Sequence, residues 1–188
     1  MPGSSSKSAS KPYDAERLER SALHYVERYA TTRAKLTTYL RRKLRERGWA
    51  GDVPADIDSL VQRFADRGYV NDAEFARAKT DSLLRRGYGG NRIAASLRAA
   101  GIEEKVMEAA REGIGNAAVQ SALTFARRRK IGPFAEKPLN PAESRRAFAA
   151  MLRAGHDFDI ARRILASGSD ADYFEGANEF GDVDRAEP

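Results

Sequence analysis

Cysteine is absent from the 188-residue chain, which excludes a disulfide framework and a thiolate zinc site. Histidine is scarce: only His24 and His156 occur. His24 sits beside Tyr25 on a helical pattern, where a histidine is ordinarily structural. Asp157, next to His156, reads as a helix N-cap rather than as the partner of a catalytic base. Apolar runs of about 18 residues are missing, so no membrane-spanning helix is expected. The opening residues, MPGSSSKSASKP, contain no apolar stretch of the kind a secretory signal needs, and they read as a flexible tail. Nucleophile-elbow, His-Glu-x-x-His and Walker patterns are lacking. Gly87-Tyr88-Gly89-Gly90 comes nearest to a phosphate loop, but no lysine and hydroxyl residue follow it and no strand precedes it. Neither catalysis nor a cofactor is therefore expected, and a reducing cytoplasm suits a chain without thiols.

What is abundant is charge. Charged residues make up 32% and hydrophobic residues 41%, a balance suited to a helix-rich chain with a modest core per unit. The net charge of +6 is unevenly spread. From Ser169 to Pro188 there are seven acids (Asp170, Asp172, Glu175, Glu179, Asp182, Asp184, Glu187) against Arg185 alone, so this tail carries −6 and residues 1–168 carry +12. A body this basic attracts nucleic acid or an acidic protein surface. The acidic tail either keeps the chain soluble or screens the basic body in cis.

Apolar spacing predicts helices throughout. The first spans about 14–30 on Leu18, Ala22, Tyr25, Val26 and Tyr29. Thr31 or Thr32 caps the second, where Leu36, Leu40 and Leu44 recur every four residues until Gly48. Trp49 is expected to anchor helices, and Gly51–Asp56 to form a loop. Ile57, Leu60, Val61 and Phe64 give a third helix, ending at Gly68. Further on, Val106, Met107 and Ala110 mark one helix, Gly113-Ile114-Gly115-Asn116 is expected to break the chain, and Val119, Ala122, Leu123 and Ala126 mark another. Asn140, Pro141 and Glu143 form a helix start, with Phe148, Met151 and Leu152 lining that helix. Asp157 opens a last one on Ile160, Ile164 and Leu165.

The chain repeats itself. Leu44-Arg45-x-x-Gly48, Leu97-Arg98-x-x-Gly101 and Leu152-Arg153-x-Gly155 each close a middle helix, with the glycines 53 and 54 residues apart. The expectation is an all-α protein of three tandem three-helix, helix-turn-helix-like repeats forming an elongated curved rod. Its divisions are a disordered basic N-terminal tail (1–13), repeats at 14–68, 69–115 and 116–168, and an acidic, largely disordered tail (169–188).

The most specific signals lie between Arg67 and Ile102, RGYVNDAEFARAKTDSLLRRGYGGNRIAASLRAAGI. Asn71 reads as an N-cap with Glu74 reaching back in a capping box, and Phe75, Ala76, Leu83 and Leu84 lie near one face of the helix that follows. Tyr88-Gly89-Gly90 reads as a tight turn using glycine's freedom in φ. Asn91 caps a helix with Ile93 and Leu97 inward and Arg92 and Arg98 outward, and Gly101 ends it. GYVNDAEFAR, then RRGYGGNRI, then SLRAAGI resembles the central signature of the RecX family of bacterial recombinase regulators, with the motifs in the right order and at the right gaps. The resemblance runs from about Leu18 to Leu165. This chain departs from the family in a first middle helix about one turn longer than usual and in its acidic extension.

The resemblance implies a negative regulator that binds RecA filaments on single-stranded DNA along the groove, opposes filament extension, and inhibits strand exchange, ATPase and the co-protease activity behind the SOS response. It also implies a cytoplasmic protein, with monomer the expected state. From the residues themselves, the contact candidates are Arg41, Arg42, Lys43 and Arg45, then Arg85, Arg86, Arg92 and Arg98, and then Arg127, Arg128, Arg129, Arg145 and Arg146. Arg162-Arg163 forms a further pair. Arginine dominates these runs, and its planar fork meets phosphate or carboxylate bidentately. Taken singly, each cluster is better explained as a solvated helix face with cations near a C-terminus; their recurrence in all three repeats is what suggests a continuous basic face. Tyr69 and Tyr88 near two clusters either stack on bases or sit in the core, and the core is the expectation. The alternative function is a basic helix-turn-helix-like DNA-binding module or transcription regulator. Since no helix start gathers Asn, Gln, Ser and Arg as a recognition helix would, DNA contacts, including any to double-stranded DNA, are expected to be mostly to phosphates and non-specific.

Overall fold

The computed structural model describes residues 11–167. The acidic stretch 169–188 and most of the expected N-terminal tail lie outside the described residues. Those described form eight α-helices and one short 3-10 turn, with no strand among them. They divide into two compact units: unit 1 holds 11–75 with Ala100–Ile102, and unit 2 holds Ala76–Ala99 with 103–167.

Unit 1 is built on α1 (Ala15–Arg28), α2 (Arg33–Arg47) and α3 (Ile57–Asp66). Each begins on a side-chain cap: Asp14, Thr32 and Asp56 accept from the backbone N–H three residues on. These caps satisfy donors that a helix start leaves open. Leu18 and Ala22, Leu36 and Leu40, and Ile57, Leu60, Val61 and Phe64 are buried together. Removing each large side chain from water contributes about 1.5–3 kcal/mol. Tyr13, the last residue of the tail expected at 1–13, instead joins this core. Its N–H donates to the Gly48 carbonyl (3.0 Å) and its carbonyl accepts from Ala50 N–H (2.8 Å). Trp49 packs half-buried against the same core and donates from Nε1 to Val53 O at 2.7 Å.

In unit 1 the turn at Ala100–Ile102 lies on the first turn of α2. Thr32 Oγ1 donates to Ala100 O (2.6 Å) while accepting from Lys35 N–H, and a Cβ on Gly101 would collide with the Ala34 methyl. The Arg33 N–H, another open donor, is taken by Asp72 Oδ1 at 2.9 Å.

Unit 2 contains most of α4 (Asp72–Arg85), then α5 (Gly90–Ala99), α6 (Glu104–Arg129), the 3-10 turn Gly132–Phe134, α7 (Pro141–Arg153) and α8 (Phe158–Ala166). Ala122, Leu123 and Ala126 of α6 meet Met151, Ala161 and Ile164. The start of α7 carries the full reciprocal capping box, Asn140 with Glu143. At Asn71 the side chain accepts from Glu74 N–H at 3.0 Å.

The expected break at Gly113–Asn116 does not occur, because α6 runs 26 residues without interruption. Neither Gly113 nor Gly115 has a positive φ, and space is open around both. Each therefore takes ordinary helical angles at a cost of about 1 kcal/mol against Ala, which the packed second half of α6 outweighs. Tyr69 (51% exposed) and Leu152 (39%) lie outward, where core positions were expected.

Candidate functional site

The densest set of sequence-predicted residues comes together in unit 2, around the turn between α4 and α5. Arg85 is the last residue of α4 and Arg86 follows it. Gly87 reverses the chain at φ 78°, and Tyr88 N–H donates back to Leu83 O at 3.1 Å. The turn is held from beneath: Ser121 Oγ donates to Tyr88 O (2.8 Å), and a Cβ on Gly87 would lie 2.9 Å from the Phe125 backbone nitrogen. The last turn of α6 adds Arg128, whose Nη1 donates to Arg86 O at 2.8 Å and Nη2 to Arg85 O at 3.4 Å. A guanidinium on the free carbonyls of a helix end satisfies acceptors and complements the dipole.

On the outer side, the guanidiniums of Arg86 and Arg92 both lie over the Tyr88 ring, with Cζ at 5.3 and 4.6 Å from its centroid. Arg127 lies over Phe134 at 4.7 Å and Arg129 over Phe125 at 5.6 Å. Among the described residues no ion pair uses Arg85, Arg86, Arg92, Arg98, Arg127, Arg129, Arg145 or Arg146. Arg98 on α5, and Arg145 and Arg146 on α7, stand exposed, and no side-chain contact links them to the turn.

Unit 1 treats its candidates differently. Arg41 pairs with Asp58 at 3.4 Å, Arg42 with Glu46 at 3.3 Å, and Lys43 with Glu46 at 3.7 Å; Arg45 is exposed and outside any ion pair. The overall balance follows the same division. The described part of unit 1 holds 13 Lys and Arg against 11 Asp and Glu, and that of unit 2 holds 18 against 9. Positive charge without a carboxylate partner is thus concentrated in unit 2, where it is available to an incoming anion.

The glycines at 89 and 90 act through space rather than through φ. A Cβ at Gly89 would overlap the Gly155 carbonyl, and one at Gly155, itself at φ 90°, would overlap the Arg92 backbone. Gly89 N–H donates to Ala154 O (2.9 Å) and Asn91 N–H to Gly155 O (3.1 Å). Asn91 is consequently the second residue of α5 and not its cap; the backbone contact sets where α5 begins. The turn after a middle helix, resting on the start of an earlier middle helix, is the device already seen at Gly101 and Ala34.

His156 completes the support. It is 3% exposed, Nε2 lies 3.1 Å from Gly87 O, and its ring meets Phe125 edge-on at 5.4 Å. Burial pushes its pKa below the ordinary 6.5, against a smaller upward pull from the Gly87 carbonyl. Nothing in the sequence marked His156, Ser121 or Phe125 as supports of this turn, because their partners lie 33 to 69 residues away. Among the described residues no group of three or more His, Cys, Asp or Glu is placed to hold a metal ion, and no helix is long and apolar enough to cross a membrane.

Comparison with known proteins converges on one family. The family model for RecX, second three-helix domain, matches residues 71–110, which contain the whole 85–92 turn. Regulatory protein RecX of Myxococcus xanthus is 34% identical over 161 residues, covering 80% of this chain and 84% of that protein. Its counterpart from Thermobifida fusca is 30% identical over 155 residues, covering 81% and 79%. A crystal structure of RecX from Lactobacillus salivarius has a similar fold, with a TM-score of 0.63 at 19% identity, over 80% of this chain and 93% of that one.

Proposed function

The chain belongs to the RecX family of regulatory proteins, and on that premise we propose that it is a negative regulator of the RecA recombinase. In this reading it binds RecA filaments on single-stranded DNA along the groove, opposes their extension, and so lowers strand exchange, ATP hydrolysis and SOS co-protease activity. It acts as a cytoplasmic monomer built of three-helix repeats at 14–68, 69–115 and 116–168.

One observation carries the reading: Arg85, Arg86 and Arg92 stand on a turn fixed from below, and Arg127 and Arg129 flank the Arg128 that clamps it, with no carboxylate of the described chain paired to any of the five. An exposed arginine that pairs with an acid commits part of its fork for about 0–1 kcal/mol. A cluster that does not, held in a defined geometry, retains its bidentate capacity for an acidic RecA surface or DNA phosphates. Arg41, Arg42, Lys43 and Arg45 in unit 1, and Arg98, Arg145 and Arg146 in unit 2, add further basic contacts. Arg128 helps less, because its guanidinium already serves the end of α4.

The test is RecA-driven strand exchange between a circular single strand and a linear duplex, with this protein added after filaments form. Loss of joint molecules at substoichiometric protein supports the proposal. Undiminished exchange, together with a footprint on a defined duplex that RecA does not alter, favours the DNA-binding module instead.

A further inference from the structure

Outside the arginine turn, unit 1 carries a second feature, a set of tyrosines packed between α1 and α2. Tyr25 of α1 and Tyr39 of α2 stack with ring centroids 4.2 Å apart and planes at 15°. Tyr29, the residue after α1, lies beside Tyr25 at 5.3 Å with the planes tilted by 46°, and is 56% exposed. These tyrosines come from two helices, and their ladder runs from the edge of the core outward to solvent. Two open grooves flank it, of about 340 and 370 Å³. Tyr13, Arg17, Arg47 and Tyr39 wall the first; Tyr25, Tyr29, Arg28 and Arg42 wall the second, with His24 between them.

Charge in these grooves is of one sign, since neither is lined by an acidic residue. Arg17 and Arg47 lie over the Tyr13 ring at 5.8 and 5.7 Å, and Arg42 and Lys43 over the Tyr39 ring at 5.6 and 5.5 Å. Glu46 engages Arg42 and Lys43, and Glu16 engages Arg20, so those three are partly neutralised. Arg17, Arg28 and Arg47 are in no ion pair among the described residues; Arg17 Nη1 donates to the Lys11 and Pro12 carbonyls at 3.1 and 2.9 Å, which leaves its other nitrogens for an anion, and Arg28 meets only His24 Nε2, at 3.5 Å.

We propose that the tyrosine ladder of α1 and α2, with Arg17, Arg28 and Arg47, is a binding site for single-stranded nucleic acid, in which a base stacks on Tyr29 and the arginines hold the adjoining phosphates. The chemistry selects this occupant. An exposed ring held beside a stacked pair presents a free face, which every nucleobase can fill regardless of sequence. The grooves are too open to enclose a small molecule, but a strand can run through them. Duplex DNA keeps its bases stacked on one another and cannot supply a free face. The site goes beyond the proposed RecA contact and does not depend on it.

The test uses the full chain without RecA. Fluorescence anisotropy is recorded for a short oligothymidylate and for an abasic strand of equal length. Tyr29→Ala is expected to weaken oligothymidylate binding about tenfold, equivalent to about 1.4 kcal/mol, while leaving the abasic strand unaffected. Tyr29→Phe is expected to bind as the parent does, because the ring is what stacks. Arg28→Ala should lower the salt dependence for both strands, by about 0.7 in log–log slope. Tyr29 is exposed, so folding is not at stake, and Trp49 emission reports that unit 1 is intact. Equal binding of the two strands by the parent, or no change with Tyr29→Ala, overturns the proposal. Because RecA is absent, that failure leaves the filament reading untouched.

Discussion

Replacing Arg85, Arg86 and Arg92 together by Ala separates the surface of the 85–92 turn from its support. Two of these side chains lie over Tyr88, and exposed cation–π contacts contribute about 0.5–1 kcal/mol each. The expected stability loss is therefore about 1–2 kcal/mol, or roughly 2–8 °C in Tm for a chain of this size. The clamp from Arg128 survives, since it is made to the backbone carbonyls of residues 85 and 86, which Ala keeps. Function should fall much further. If each arginine contributes about 1 kcal/mol at an accessible charged interface, affinity for RecA filaments on single-stranded DNA drops about a hundredfold. Where the contacts are to phosphates, the salt slope falls by about 2. Anisotropy with a labelled filament at several salt concentrations measures both quantities, and calorimetry measures the Tm. The Arg41/Arg42/Lys43→Ala variant is the control: those side chains already pair with Asp58 and Glu46, so its effect should be several-fold smaller. Equal losses from the two variants, or wild-type affinity in the first, would refute the reasoning from unpaired charge.

Three further outcomes follow from the packing. Leu97→Ala, at a position 1% exposed, should cost about 2–5 kcal/mol in urea unfolding without altering filament affinity per folded molecule. Gly155→Ala adds a Cβ to a residue at φ 90° where the Arg92 backbone already lies; about 2–5 kcal/mol is expected, with inhibition impaired because α5 must move. His156 has a depressed pKa in the folded chain, so the unfolded state binds the extra proton first: stability is complete above the ordinary 6.5 and declines as pH falls below it. Thermal melts should show that decline in the wild type, and His156→Gln, lower at neutral pH, should lack that histidine's share of it.

Much of the local structure was legible because it is local. Gly48, Gly101 and Gly155, spaced as a repeat, all take positive φ at helix ends, and Thr32, Asn140 and Asp157 cap as their types suggest. The expected break in α6 failed because two glycines and an asparagine weaken a helix without ending it when neither glycine needs a positive φ and the following turns are buried. Asn91 was misplaced for another reason: a backbone contact with residues 154–155 starts α5, and no sequence window of useful length contains both partners. The arginines were visible, but not their status. Whether Arg42 finds Glu46, or Arg86 finds only an aromatic face, is decided by helix phase and by neighbours from other elements. The Tyr25–Tyr39 stack is invisible in sequence because each ring alone reads as an edge of a helix core.

The most direct measurement of the central claim is RecA's ATP hydrolysis on single-stranded DNA while this protein is titrated in. The account predicts inhibition at well below one molecule per RecA subunit, since a regulator that opposes extension acts on many subunits from few positions. Unchanged hydrolysis at saturation, with binding to the DNA still present, would contradict it.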